Sequence, residues 1–470
     1  VLHRLKIANG VIPFRNTVNQ FIGSAVALIA GFSVGREGPA VHLGAACSSY
    51  IGNKLNLPYN AIRSLSACGI AAGIAACFNT PIAAVLFVME VILREYKVHI
   101  FIPVMIAAIV GSMTTSSIFG PTHEFGYFTD ITLNIDHYFI LAILGMILGL
   151  IAFVFNRYLI LVIKHSARFH IVPRILTAAF ITGALGYAVP YAMGTDLSAI
   201  NFSLQNNLEL QLLLGLLVAK VLMTIFALGL GIPGGIIGPI LGIGAIAGIC
   251  GSVIATYFMT GDFSASDFAL MGMAGFMAAT LNAPLAALLC VVEMSNQIEI
   301  IVPAMIVITS ACVFSGQFFG NRSIFIMQLE VQGLPYRRPP IEKSLQRIGV
   351  IGVMEEAFTL LDNPSEDVIS VALSEQTPQD NLICKVSRNN EQATFIFYQQ
   401  NTTNIEDTPS IEKHTLLPLS SQATLAEAYL LLVKTREGGV YIYQDNPDQI
   451  MGIITFDYIR SYLLKGKTDK

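Results

Sequence analysis

Apolar runs of about twenty residues constrain this chain most, because a helix of that length can cross a lipid bilayer. Hydrophobic residues make up 54% of its 470 positions and charged residues only 12%, a balance that excludes an ordinary soluble protein. The clearest runs are Phe139–Phe155, Gln211–Gly231, Ile236–Met259, Phe268–Val292 and Ile300–Phe319. Shorter runs broken by glycine or proline suit helices that end inside the membrane. The sequence therefore predicts an all-α polytopic membrane protein.

An internal repeat divides the apolar part of the chain. Residues 78–91 read FNTPIAAVLFVMEV, and residues 281–294 read LNAPLAALLCVVEM, with Asn, Pro and Glu in register. Two pentapeptides, GREGP at 35–39 and GIIGP at 235–239, recur at a similar distance. Chance similarity between apolar helices would not keep these positions in step. We expect two halves of one fold with inverted topology, as in many transporters.

Both pentapeptides are typical of helix starts, since proline suits the first helical turn and glycine lets the main chain approach a ligand closely. Helix N-termini expose unpaired N–H groups and a partial positive charge, which favour an anion. Such groups hold an anion more weakly than a lysine would, so that the ion can also leave. The predicted anion-binding positions are Gly35, Arg36, Gly38, Pro39, Gly235, Ile236, Ile237, Gly238 and, from the resemblance described below, Phe325.

Glu37 lies in the first pentapeptide, and an acid in so apolar a stretch is costly and usually functional. Its carboxylate is an anion that would compete with a permeant anion for the same amides. We therefore predict that protonation or displacement of Glu37 gates the pathway. The alternative is an ion pair with Arg36 that fixes a helix end, but adjacent side chains on a helix do not face each other.

Other polar residues have structural interpretations. We expect Lys220 to snorkel or pair, His42 to pack, Arg36 to pair elsewhere or snorkel, and Glu293 to repeat Glu90 as a cap or ion-pair partner. The seven cysteines are scattered without a C-x-x-C pair, which disfavours disulfides and a zinc or other metal site. A net charge of −4 without a basic patch excludes nucleic acid as a partner.

The composition changes near Gly320, which predicts a membrane domain over 1–335 and a soluble domain over 336–470. Arg337 and Arg338 follow the last apolar run, so we expect this domain to be cytoplasmic. Residues 417–464 predict strand–helix–strand–strand–helix and resemble one CBS repeat, and Val350–Gln400 is a candidate for a degenerate partner. An unrelated small α/β domain is the alternative.

Four motifs, in this order along the chain, resemble the CLC family of chloride channels and proton/chloride exchangers: GREGP, FNTP…ME, GIIGP and LNAP…VVEM. The resemblance covers about residues 22–335. The resemblance implies chloride as substrate, a homodimer in the bilayer with one pore per subunit, and no cofactor. It leaves adenosine-nucleotide binding by the CBS-like domain open. The family's first motif, a GSGxP-type loop, does not occur in these residues, so we expect further helices before Val1.

Three positions depart from the family's pattern. Val91 stands where exchangers have a glutamate that relays protons, Phe325 stands where the family has a tyrosine on the central anion, and Ile237 replaces a phenylalanine. A valine cannot carry a proton, so the sequence predicts a chloride channel. A proton-coupled exchanger with an atypical inner proton route is the alternative.

Two further classes receive less support from the sequence. An intramembrane enzyme would need a motif such as HExxH, a helical GxSxG or paired intramembrane aspartates, and none occurs here. A nucleotide-sensing C-terminal domain with the membrane part as its effector would add to the transport hypothesis.

Overall fold

The computed structural model describes residues 1–7, 10–120, 137–194, 196–205, 209–258, 263–334, 340–375, 381–386, 393–401 and 410–465. The chain divides into two compact units. The first comprises Val1–Ile51 and Ser64–Tyr336, and the second comprises Gly52–Arg63 and Arg337–Lys470. No sequence pattern indicates that the short segment 52–63 groups with the C-terminal residues.

Helices make up the first unit, and the adjoining ends of two of them, α3 and α4 below, fall in the segment 52–63 that is assigned to the second unit. They are α1 (Leu2–Lys6), α2 (Phe14–Ile29), α3 (Glu37–Lys54), α4 (Tyr59–Phe78), α5 (Pro81–Phe87), α6 (Val98–Phe119), α7 (Tyr138–Ser166), α8 (Ile171–Ala188), α9 (Asp196–Gln205), α10 (Leu210–Gly229), α11 (Ile237–Phe258), α12 (Ala265–Leu281), α13 (Pro284–Ser295), α14 (Ile301–Val313) and α15 (Ile324–Val331). Wider π-helical turns continue α5 over Val88–Leu93 and α14 over Phe314–Phe318.

Seven helices in the described part of the chain are long and apolar enough to cross a membrane. They cover Tyr59–Phe78, Val98–Phe119, Tyr138–Ser166, Ile171–Ala188, Leu210–Gly229, Ile237–Phe258 and Ile298–Phe318. Shorter apolar helices cover Pro81–Leu93, Ala265–Leu281 and Pro284–Ser295. The coarse prediction of a helical, multi-pass membrane protein is confirmed.

The centre of the first unit is the contact between α11 and α12. Helix α11 is apolar on every face, and most of its residues are buried, as expected of a helix with protein all round it. Glycine permits this contact, because a Cβ on Gly248 would overlap the carbonyl oxygen of Phe268. A Cβ on Gly244 would lie 2.5 Å from the carbonyl oxygen of Gly272. The two main chains therefore approach more closely than larger residues would allow.

The predicted apolar run Phe268–Val292 is two helices and not one. Helix α12 ends before Asn282, whose φ of 54° is left-handed, and α13 begins at Pro284. The first repeat does the same, with Asn79 at a φ of 54° and α5 beginning at Pro81. Asparagine tolerates the left-handed region and proline suits a helix start. The Asn and Pro that recur in the sequence therefore break a long helix at matching places.

The second unit contains two small sheets. The first has the order β1-β2-β3-β4, and the second has the order β5-β6-β7. In each sheet the first pair is parallel and the remaining pairs are antiparallel. The elements are α16 (Pro340–Leu345), β1 (Phe358–Asp362), α17 (Glu366–Glu375), β2 (Asn381–Val386), β3 (Thr394–Asn401), β4 (Ser410–Thr415), β5 (Leu417–Ser420), α18 (Leu425–Leu432), β6 (Gly439–Tyr443), β7 (Gly452–Thr455) and α19 (Phe456–Lys465).

The elements from β5 to α19 follow the predicted order strand–helix–strand–strand–helix. Helix α18 starts with a capping box, in which the main-chain N–H of Thr424 donates to Glu427 at 2.8 Å. The segment 52–63 joins this unit through the N–H of Tyr59, which donates to the carbonyl oxygen of Gln422 at 2.8 Å. The CBS resemblance itself stays a prediction.

Candidate functional site

The two pentapeptides meet in the first unit, although 200 residues separate them. The N–H of Gly35 donates to the carbonyl oxygen of Gly235 at 2.9 Å, and the N–H of Gly235 donates back to Gly35 at 2.7 Å. This isolated antiparallel bridge pairs the same position of each repeat. The bridge therefore brings the starts of α3 and α11 together at one place.

The Glu37 carboxylate occupies the start of α11. Glu37 is the first residue of α3, and only 2% of it is exposed. Its Oε1 accepts hydrogen bonds from the N–H of Ile237 at 2.6 Å and from the N–H of Gly238 at 3.3 Å. These N–H groups belong to the first turn of α11 and have no partner within that helix. A carboxyl group thus lies where the sequence predicted that a helix N-terminus would bind an anion.

Glycine at three positions of the pentapeptides leaves the room that the carboxylate and the crossing backbones occupy. A Cβ on Gly35 or on Gly235 would overlap the carboxylate oxygens of Glu37. A Cβ on Gly38 would lie 2.7 Å from the carbonyl carbon and oxygen of Gly234 and equally near the nitrogen of Gly235. The space here is therefore fitted to a carboxylate and to bare main chain.

The segments leading into the pentapeptides are held by different residues. Gly31 and Gly231 both have positive φ, at 79° and 91°. The first accepts a hydrogen bond on its carbonyl oxygen from the N–H of Gly194 at 2.9 Å. In the second, Arg174 Nε donates to the carbonyl oxygen of Leu230 at 2.9 Å. The turns match, but a main-chain group supports one and a guanidinium supports the other.

A buried hydroxyl pair joins the first segment to the second repeat. Ser33 Oγ and Thr224 Oγ1 lie 2.9 Å apart, and both residues are fully buried. One turn before Thr224 on α10, Lys220 is also fully buried, and its Nζ donates to the carbonyl oxygens of Ala192 at 3.3 Å and Gly194 at 3.1 Å. The prediction that Lys220 snorkels is therefore wrong, because main-chain carbonyls inside the protein hold its charge.

The remaining pentapeptide residues have separate surroundings. Arg36 is exposed, and its guanidinium carbon lies 6.0 Å from the centre of the Phe78 ring, within reach of a cation–π contact. Ile236 and Pro39 are buried. The predicted role of Arg36 as an anion-binding position rests on its main-chain N–H and stays a prediction.

Phe325 and Val91 lie in another part of the same unit. Phe325 is the second residue of α15 and is partly buried; its ring stands edge-on to that of Phe87, with centroids 6.4 Å apart. Val91 is 5% exposed in the π-helical turn that follows α5. The position that the resemblance assigns to a proton relay is thus a buried apolar side chain.

Glu90 and Glu293 make contacts that the sequence indicated only in part. Glu90 accepts hydrogen bonds from the N–H groups of Leu285 at 3.4 Å and Ala286 at 2.8 Å, at the start of α13. Glu293 accepts them from Ile82 at 3.0 Å and Ala83 at 2.7 Å, at the start of α5. Capping by Glu293 was predicted, but the sequence did not show that each glutamate caps a helix of the other repeat. The signal was the equal spacing, since each glutamate follows its proline by nine residues.

Within the described residues, no group of three or more His, Cys, Asp or Glu side chains is arranged to hold a metal ion. The groups at the pentapeptides are main-chain N–H groups and one carboxylate, which suit a monovalent anion and its competitor.

Comparison with known proteins gives a consistent result. A family model described as "Voltage gated chloride channel" matches residues 1–316. The chain is 31% identical over 318 residues to the H(+)/Cl(-) exchange transporter ClcA of Salmonella agona, a match that covers 65% of this chain and 67% of that protein. The protein of the same name from Salmonella newport is 30% identical over the same length.

Solved structures share the fold. A slow cyanobacterial Cl-/H+ antiporter has a TM-score of 0.64 at 22% identity and covers 70% of this chain and 80% of its own. A CLC-type fluoride/proton antiporter has a TM-score of 0.59 at 25% identity, covering 68% and 78%. A eukaryotic CLC transporter has a TM-score of 0.54 at 20% identity, and its match covers 91% of this chain and 77% of its own.

Proposed function

The chain belongs to the voltage gated chloride channel family, and from that premise we propose that it carries chloride across a membrane, with Glu37 gating the pathway. The observation that carries the proposal is the bond from the N–H of Ile237 to Glu37 Oε1 at 2.6 Å. A carboxylate and a chloride ion carry the same single charge. A site that holds one by main-chain N–H groups will accept the other when the first leaves.

The pentapeptide site offsets the cost of removing water from an anion. An isolated ion in an apolar interior faces a penalty of tens of kcal/mol by Born estimates. The start of α11 offers N–H donors and roughly half a positive charge from the helix dipole. No lysine side chain is needed, so the bound ion is not held too tightly to be released. Deprotonated Glu37 competes with chloride, and protonation removes its charge and the competition.

For the mode of transport we propose proton-coupled exchange, which replaces the passive channel predicted from Val91. The support is the relatives, since ClcA is named an H(+)/Cl(-) exchange transporter and is 31% identical to this chain. Glu37 offers one group that can take up a proton on the pathway. The inner proton route must use a group other than residue 91, because a valine side chain cannot bind a proton.

A passive chloride channel is the second candidate, and the buried Val91 is the observation that favours it. The two candidates differ in one measurable quantity. A channel has its reversal potential at the chloride equilibrium potential whatever the pH gradient. An exchanger shifts its reversal potential when protons are supplied on one side, because each cycle moves both ions.

The test uses the full chain in liposomes, with a fixed chloride gradient and a variable pH gradient. We expect the reversal potential to move with the pH gradient, and we expect this movement to vanish in Glu37→Gln, where residue 37 can no longer bind a proton. A reversal potential that ignores the pH gradient would reject exchange and leave the channel. The absence of any chloride flux would reject the transport proposal as a whole.

The proposal extends to the assembly. Two subunits would each carry a pathway of their own, and the second unit would lie in the cytoplasm as a CBS-like domain. The predicted element order from β5 to α19 supports the last point. Binding of an adenosine nucleotide to the full chain, measured by calorimetry in detergent, would test whether this unit senses a ligand.

A further inference from the structure

Lys220 lies fully buried in the middle of α10, a helix that is long and apolar enough to cross a membrane. Residues 210–229 contain no other charged side chain. Removing a charged group from water is costly, and ionisable residues inside a membrane protein usually have a function. Neither the anion site nor the gating carboxylate includes Lys220, so its burial points to another role.

The ammonium group of Lys220 holds the loop that supports the turn before the first pentapeptide. Its Nζ donates to the carbonyl oxygens of Ala192 at 3.3 Å and Gly194 at 3.1 Å. The N–H of Gly194 in turn donates to the carbonyl oxygen of Gly31 at 2.9 Å. Gly31 lies six residues before Glu37. The lysine thus connects to the chain segment that carries the gate.

The same part of α10 supports that segment a second time. Thr224 follows Lys220 by four residues, so both lie on one face of the helix. Thr224 Oγ1 donates to the carbonyl oxygen of Lys220 at 2.8 Å and lies 2.9 Å from Ser33 Oγ. Because the threonine hydroxyl has one proton, Ser33 is the donor to Thr224. One face of α10 therefore holds the first segment at Gly31 and at Ser33.

The two supports lie close to the gate along the chain. Ser33 is two residues before Gly35, which pairs with Gly235, and four residues before Glu37. The carboxylate of Glu37 lies 2.6 Å from the N–H of Ile237. A hydrogen bond weakens when its donor and acceptor move apart or lose alignment. A small shift of the first segment would therefore loosen the bond between the gate and α11.

We propose that Lys220 is a positioning residue for the gate: it holds the first segment so that the Glu37 carboxylate reaches the N–H groups at the start of α11. This inference rests on the proposed chloride transport, in which Glu37 competes with chloride. Arg174 offers a parallel, since its Nε donates to the main chain just before the second pentapeptide. A cationic side chain thus supports the approach to each pentapeptide.

The test measures the chloride concentration for half-maximal flux at neutral pH, for the full chain and its variants in liposomes. This concentration does not depend on how many molecules fold or insert. A carboxylate that is held less firmly competes less well, so chloride binds at a lower concentration. We expect Lys220→Met to lower the half-maximal concentration by about threefold or more, the order expected when part of a hydrogen bond to a charged group is lost.

The same change in a Glu37→Gln background separates positioning from a direct effect of charge. Without a charged competitor, the placement of the first segment matters little to chloride, so Lys220→Met should leave the half-maximal concentration nearly unchanged there. If the ammonium group instead attracted the anion by its charge, its removal would raise this concentration in both backgrounds. Such a rise would overturn the positioning role.

Three further variants serve as controls. Leu213 is buried on α10 seven residues before Lys220, and Leu213→Ala leaves a cavity. It should lower the thermal midpoint in detergent and leave the half-maximal concentration unchanged. Lys220→Arg keeps the charge and the donors and should stay closer to the wild-type value than Lys220→Met. Thr224→Val removes the second support and should lower the half-maximal concentration, as Lys220→Met does.

The outcomes separate this inference from the transport proposal. If the wild type carries no chloride, or if Glu37→Gln itself does not lower the half-maximal concentration, the proposed function fails and the inference fails with it. If both hold but Lys220→Met has no effect, or if Leu213→Ala has an equal one, only the positioning role is wrong. If Lys220→Met does not fold, Lys220→Gln decides instead, because its side chain is shorter and uncharged. An unchanged value in that variant would also overturn the inference.

Discussion

The two pentapeptides share a frame of two glycines and a proline and differ at the second position, Arg36 against Ile236, and at the third, where one has Glu37 and the other has Ile237. In the structure, this last difference gives the two segments different roles. The second segment supplies N–H donors at the start of α11, and the first supplies the carboxylate that occupies them. A repeated backbone thus builds a symmetric junction, and a single side chain makes one half the binding site and the other half its competitor.

Removing the charge that distinguishes the first segment from the second should have the largest effect on chloride flux. Glu37→Gln removes the charge from the first segment, and we expect chloride flux at neutral pH to rise by about tenfold to a hundredfold, since bonds to charged groups contribute about 1.5–3 kcal/mol each. The pH dependence of the flux should flatten as well. Chloride efflux from liposomes at several pH values measures both quantities, with Ile237→Val as the control that keeps the main-chain N–H. Unchanged flux with intact pH dependence would show that Glu37 does not gate.

Removing a donor from the second segment tests its half of the comparison. Ile237→Pro deletes the N–H that lies 2.6 Å from Glu37 Oε1. Proline is tolerated there, because Ile237 is the first residue of α11. In a Glu37→Gln background, the chloride concentration for half-maximal flux should rise by about tenfold, the equivalent of roughly 1.4 kcal/mol. The same half-maximal concentration in Ile237→Pro and Ile237→Val would mean that this N–H does not bind chloride.

The close approach of the segments can be tested through stability. A Cβ on Gly38 would press on the main chain of Gly234, so Gly38→Ala should cost about 1–3 kcal/mol in the free energy of unfolding, typical of overpacking. Gly183→Ala is the matched control, since a Cβ there meets nothing within 4 Å. Thermal midpoints in detergent compare the two. Equal midpoints would indicate that the segments do not lie as close as described.

The smallest expected effect concerns the support of the first segment. Thr224→Val should cost about 1 kcal/mol in stability, since it leaves the buried Ser33 hydroxyl without its partner. The paired change Thr224→Val with Ser33→Ala should recover most of that loss, because both polar groups are then gone. Denaturation of the wild type, Thr224→Val, Ser33→Ala and the double variant forms a double-mutant cycle. Additive losses of stability would contradict the pairing.

Sequence patterns predicted the local features well. Proline and glycine located the starts of α3 and α11, and Glu37, an acid in an apolar stretch, pointed to the place where the two helices meet. These signals are local, since they depend on the conformational preferences of one or two residues. The order of elements from β5 to α19 was predictable for the same reason, from alternating apolar residues and a capping threonine.

Features that depend on which elements meet in space were not predictable. Glu90 has the same local sequence whether it relays protons, pairs with a cation or caps a neighbouring helix. The burial of the Lys220 side chain was equally unpredictable from the sequence, because its carbonyl partners come from a distant loop. The segment 52–63 looks like a short connection between helices and gives no sequence signal that it groups with the C-terminal residues.

The site that Glu37 occupies is formed by main-chain N–H groups. Every amino acid except proline supplies an identical N–H, so a replacement of Ile237 or Gly238 alters shape but seldom deletes a donor. Mutations can therefore change the anion selectivity mainly by replacing Glu37 or the side chains around the site. Related proteins could therefore replace the gating residue and still bind halide ions through the same main-chain N–H groups.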